Sequence, residues 1–65
     1  MLISLNGDTL KVDENSTIAD LIHKSDYQSD VVVFVNNELI LEDEFEETQI
    51  KENDDVLVLQ FLGGG

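Results

Sequence analysis

Apolar and polar positions along this chain predict strands at both ends and one short helix near the middle. Ile3 and Leu5 share one face of a strand over Met1 to Leu5. Asn6-Gly7 follows, the strongest short hairpin signal, because a type I′ turn needs positive φ at both central positions. Thr9 to Val12 is the return strand, with Leu10 and Val12 inward. A polar stretch, Asp13 to Thr17, then offers Ser16 or Thr17 as a helix N-cap, and Thr17-Ile18-Ala19-Asp20 matches a capping box weakly. Ile18, Leu21 and Ile22 fall on one helical stripe, and His23 and Lys24 occupy the last turn, where positive charge suits the helix dipole. So short a helix depends on tertiary packing.

Val31 to Val35 is a run of five β-formers, which predicts a central strand buried on both faces. Asn36-Asn37 supplies a turn and Glu38 to Leu41 a short partner strand. Glu42 to Gln49 is acidic and irregular, with Phe45 as its anchor into the core, and Ile50 forms a brief strand. Lys51 to Asp54 is a tight turn in which Asn53 takes left-handed φ. The last strand runs from Val56 to Phe61 or Leu62. A sheet covered on one face by one helix is a two-layer α+β domain. Its other face is open, so Val56 and Val58 face the helix while Leu57, Leu59 and Phe61 face outward. Two readings fit those three residues: a docking patch, or a surface covered by the acidic loop.

Sixty-five residues make one domain, with residues 1–62 folded and 63–65 a glycine tail. At this size about 60% of the unfolded surface is buried, too little to enclose a deep pocket, which argues against a self-sufficient enzyme. Cysteine is absent, so neither disulfides nor thiolate metal sites are available. No segment reads as a signal peptide or a membrane span, and a cytoplasmic location is the expectation. Fifteen Asp and Glu stand against three Lys, for a formal charge of -12. That excludes nucleic acid and anionic membrane as natural partners. It fits either a basic protein partner or simple solubility.

Candidate chemistry is sparse. Glu42-Asp43-Glu44 with Glu46-Glu47 lacks the alternating ligands and glycine of a calcium loop and reads as a solvated face. His23 has no Cys or Arg beside it, Tyr27 is an ordinary amphipathic residue, and Asp54-Asp55 lies in a turn without a pocket. There is no phosphate-binding loop and no nucleophile with a partner base. What stands out is Gly63-Gly64-Gly65, directly after the last apolar strand. Glycine threads narrow passages and lets backbone approach a reactive centre. The reactive group such a tail carries is its terminal carboxylate, which makes Gly65 the expected working residue and Gly63 and Gly64 its leash.

Hairpin, helix, two strands, a final apolar strand and a Gly-Gly ending together resemble the ubiquitin-like β-grasp sulfur carriers of the ThiS/MoaD family, and most closely its ThiS-type members. The likeness spans the whole chain. It is strongest in Val35-Asn36-Asn37-Glu38-Leu39-Ile40, in Glu52-Asn53-Asp54-Asp55-Val56, and in Phe61-Leu62-Gly63-Gly64-Gly65. The family's Gly-Asp turn before the last strand is here Asn53-Asp54, and asparagine tolerates left-handed φ. The resemblance implies a mixed four- to five-stranded sheet, one short helix on one face and a flexible glycine tail.

It also implies a protein co-substrate, not an enzyme, that binds no cofactor itself. A carboxylate of pKa about 3.5 is ionised and a poor electrophile. A ThiF-like adenylating enzyme would couple Gly65 to AMP using ATP. Persulfide sulfur, relayed from a cysteine desulfurase or another donor, would displace AMP and leave a thiocarboxylate for a ThiG-like thiazole synthase. Leu57, Leu59, Phe61 and Leu62 would meet these partners. Related alternatives are carriers for molybdopterin, tRNA or cysteine thiolation, and a ubiquitin-like modifier joined to lysines through Gly65. Length and Gly63 favour the thiamine type. A plain acidic interaction module is the further alternative, and it would keep its function without Gly64 and Gly65. Mutual repulsion among fifteen carboxylates predicts that added sodium chloride raises the urea midpoint of unfolding.

Overall fold

Among the described residues one mixed sheet, in the order β2-β1-β5-β3-β4, carries a single α-helix on one face. The strands are β1 (Leu2–Leu5), β2 (Asp8–Lys11), β3 (Val31–Val35), β4 (Glu38–Ile40) and β5 (Asp55–Gln60), and the helix is α1 (Ile18–Lys24). The structure is a computed structural model and describes residues 1–25 and 30–61. Tyr27, Leu62, Gly63, Gly64 and Gly65 lie outside the described residues.

Local sequence explains both hairpins. β1 and β2 pair antiparallel from Leu2↔Lys11 to Leu5↔Asp8, and Asn6 and Gly7 close them with φ of 51° and 87°. Asn36 and Asn37 close β3 and β4 the same way, with φ of 51° and 70°. Asparagine is among the few side-chain-bearing residues that enter this region readily. Asn53, at φ 69°, makes the expected left-handed turn before β5. β5 then runs parallel to β1 and antiparallel to β3, which joins the two hairpins into the β-grasp arrangement.

Of the two cap candidates, Thr17 caps α1. Its Oγ1 accepts from Asp20 N at 3.2 Å, and its own N donates to Asp20 Oδ2 at 3.0 Å, completing the capping box. The Ser16 hydroxyl instead donates to Asp13 O at 2.6 Å. A helix leaves its first four N–H groups without intrahelical partners. Here Thr48 O accepts from Ile18 N at 2.9 Å, Phe45 O from Ala19 N at 3.0 Å, and Thr17 supplies acceptors to Asp20 and Leu21. The acidic segment therefore has a backbone task. It enters through a 3-10 turn (Glu42–Glu44) and lies along the start of the helix. Ile50 does not form the expected brief strand. An isolated bridge, Thr17↔Gln49, forms instead, and Ile50 is buried beyond it.

The core lies between α1 and the inner sheet face. It comprises Ile3, Val12, Ile18, Leu21, Val33, Phe45, Ile50, Val56 and Val58. Two expectations need correction. β3 is an interior strand, but β5 is the central one. Nor is β3 buried on both faces: Val33 is fully buried, whereas Val32 and Phe34 are half-buried. One helix covers one face, so alternate residues of even an all-apolar strand meet water.

Hydrogen bonds from the Thr17 backbone and then the Thr17 hydroxyl, with a smaller contribution from nearby His23, hold the Asp20 carboxyl below its ordinary value of 3.8. A depressed folded-state pKa stabilises the fold above the unfolded value, and that contribution disappears as pH falls through the folded one. We expect Asp20→Asn to lower stability at neutral pH, with the gap to wild type closing as pH drops below 3.8 in urea-unfolding curves. Thr17→Ala should cost about 1 kcal/mol at neutral pH, and part of that cost should disappear as pH falls, because the Thr17 hydroxyl helps to hold the Asp20 carboxyl low.

Candidate docking face and tail root

The period of two along β5 divides its side chains sharply. Val56 and Val58 point to the helix and are buried, while Leu57, Leu59 and Phe61 are 42%, 44% and 57% exposed on the opposite face. All three residues expected to face outward do so. Register then shows a wider apolar band than β5 alone. Leu57 lies opposite Phe34 and Leu59 opposite Val32 on β3, and Phe34 in turn lies opposite Leu39 on β4. Leu39 is exposed, as is Leu41 two residues further on. Val32, Phe34, Leu39 and Leu41 thus join a face that sequence reading confined to the last strand. The signal was present in the two-residue spacing of Leu39 and Leu41, but which face they share depends on non-local pairing.

The acidic loop does not cover this band. Glu42, Asp43 and Glu46 border a groove of about 400 Å³ on the helix side, with Ala19, Ile22, His23 and Phe45. The physical reason is the helix N-terminus, whose donors draw the loop's carbonyls to that side. Exposed apolar groups therefore stand bare on one face, at the strand that leads into the glycines. Contiguous patches of this kind mark interaction surfaces.

Elsewhere the polar groups serve the fold. Asp54 is buried, with its Oδ2 accepting from Lys51 N at 2.8 Å and its Oδ1 from Asn36 Nδ2 at 3.0 Å. Asn36 Oδ1 accepts from Asp55 N at 3.0 Å. The Asp54 carboxylate thereby locks the turn, and Asp55 opens β5 with its backbone N held by Asn36. Glu44 Oε1 accepts from Leu41 N at 3.0 Å, closing the 3-10 turn. Among the described residues no group of three or more His, Cys, Asp or Glu is arranged to hold a metal. Nor is any described helix long and apolar enough to cross a membrane.

The family model of the ThiS family matches residues 2–65. The chain belongs to the ThiS family. Its fold is that of a thiamine biosynthesis protein (ThiS) from Geobacter metallireducens: the crystal structure superposes with a TM-score of 0.84 at 30% identity, covering 100% of both chains. The solution structure of a thiamine biosynthesis protein from the same organism gives 0.81 at 30% identity, covering 100% of this chain and 88% of that one. No curated protein matches.

The burial pattern makes the outer face separable from the core. Leu59→Asp and Phe61→Asp should each leave thermal unfolding nearly unchanged, within about 0.5 kcal/mol as for ordinary surface sites. Val58→Asp, which buries a charge in the core, should abolish the cooperative transition seen by circular dichroism.

Proposed function

We propose that this ThiS-family protein is a sulfur carrier for thiamine thiazole formation, with the Gly65 carboxylate as the atom group that works. The observation that carries the reading is the junction of two features. A family match runs through Gly65, and an uncovered apolar face lies on β5, the strand immediately upstream of the glycines. The domain is the handle and the tail is the reactive end.

On this reading a partner enzyme grips Leu57, Leu59 and Phe61 with their neighbours on β3 and β4. Leu62 would continue that contact. Beyond it, Gly63, Gly64 and Gly65 span about 10 Å if extended, at roughly 3.3–3.6 Å per residue. In the adenylating enzyme a Gly65 carboxylate oxygen attacks the α-phosphorus of ATP, and pyrophosphate leaves. The terminal sulfur of a persulfide attacks the resulting acyl carbon, and AMP departs. A thiol then cleaves the sulfur–sulfur bond and leaves the thiocarboxylate, which thiazole synthase consumes while the carboxylate is restored. The chain supplies no acid, base or metal to these steps; it supplies the acyl group and the surface by which it is held. The charge of -12 favours partners with a basic rim around an apolar seat.

The experiment is incubation with a ThiF-like adenylating enzyme, ATP and a persulfide donor, followed by intact-mass measurement. One oxygen of Gly65 should be replaced by sulfur, and removing Gly64 and Gly65 should abolish the change. An unaltered mass with every cognate activator would end the carrier reading. Isopeptide adducts to lysine in place of a thiocarboxylate would identify a modifier instead.

A further inference from the structure

β5 outlasts its neighbour. β1 pairs with it at Ser4↔Asp55 and Leu5↔Val56, and the chain then reverses at Asn6-Gly7. Backbone groups along a strand alternate in direction. Asn6 N donates to Val56 O at 2.9 Å and Asn36 N to Asp55 O at 2.8 Å, so Val56, Val58 and Gln60 direct their backbone toward β1 and the odd positions toward β3. On the β3 side the ladder continues through Val31↔Gln60, and Phe61 N donates to Asp30 O at 3.2 Å. On the β1 side the main chain has already turned away when β5 reaches Val58.

The Asn6 side chain occupies that place. Its Oδ1 accepts from Val58 N at 2.7 Å and its Nδ2 donates to Val58 O at 3.3 Å. A carboxamide presents the same donor and acceptor as a peptide group, so Asn6 adds one rung to the ladder with its side chain. Asn36 grips the beginning of β5 from the other side in a similar way, at the same φ.

We propose that Asn6 is a positioning residue: its carboxamide anchors β5 at Val58, beyond the point where β1 has turned away, and so holds in line the end of the strand that leads to Phe61. The consequence for sulfur loading rests on the carrier reading above; the anchoring itself does not.

Asn6→Gly isolates the side chain, because glycine accepts a φ of 51° and leaves the turn intact. Asn6→Asp keeps the acceptor for Val58 N and turns a carboxylate oxygen against Val58 O. By amide hydrogen exchange, Asn6→Gly should speed the Val58 amide roughly tenfold while the Val33 and Ile18 amides keep their wild-type rates. Asn6→Asp should fall between wild type and Asn6→Gly. In the loading reaction, Asn6→Gly should lower kcat several-fold with KM within about twofold of wild type, since the docking face is untouched. Leu57→Asp should do the opposite and raise KM. Unchanged exchange at Val58, or equal acceleration at every amide, would overturn the anchoring. Wild-type kcat in Asn6→Gly would overturn the positioning role. If wild-type protein takes up no sulfur at all, the carrier reading fails, and Val58 exchange alone decides whether Asn6 is an anchor.

Discussion

The structure depends on the register of β5. This strand is hydrogen-bonded on both sides and has Val56 and Val58 in the core, with Leu57, Leu59 and Phe61 outside. A slip of one residue would exchange the two sets, because side chains alternate with a period of two. Hydrophobicity alone does not choose between them, since both sets are apolar. The choice falls to polar groups at the strand's margins. Asn36 and Asp54 lock the start of β5 to the β3–β4 turn, Asn53 sets the entry angle, and Asn6 ties Val58 to the β1–β2 turn. Three asparagines with positive φ thus specify which face of the last strand is offered to solvent.

The same logic places the acidic loop. A helix of seven residues cannot persist on propensity, and its first N–H groups need acceptors. The Glu42–Glu47 run and the residues after it provide carbonyls there, with Phe45 as an apolar pin. That assignment holds the loop to the helix layer and leaves the far face of the sheet without a cover. Helix capping and an exposed apolar face are in this sense two results of one constraint.

Much of this was legible in the residues. The Asn6-Gly7 hairpin, the Thr17 capping box, left-handed Asn53 and the parity of Leu57, Leu59 and Phe61 follow from rules that operate within a few residues. What escaped was non-local. Five consecutive β-formers in β3 read as buried on both faces, because nothing within Val31–Val35 reports that the domain has one helix and therefore one covered face. The contribution of Phe34, Leu39 and Leu41 to the outer band depends on β3 lying between β5 and β4, which the chain order does not state. The side-chain rung of Asn6 depends on the parallel β1–β5 pair, joined across some fifty residues.

An apolar band left in water is a hazard for a domain with a small core, because it invites association as readily as recognition. On the carrier reading the band cannot be sealed. The enzyme that activates the tail and the enzyme that consumes its sulfur act on one terminal atom, at the end of a leash of three glycines. On that reading both would hold the domain close to the same root, and their complexes would exclude one another. A face used in turn by different partners has to return to solvent between them. The charge of -12 then acquires a physical role without forming a site. It keeps two bare carriers apart by mutual repulsion while leaving the face open to a seat with a basic rim. On that reading, solubility and partner choice, which composition alone left as rival explanations of the acidic excess, would be one electrostatic effect acting on different neighbours.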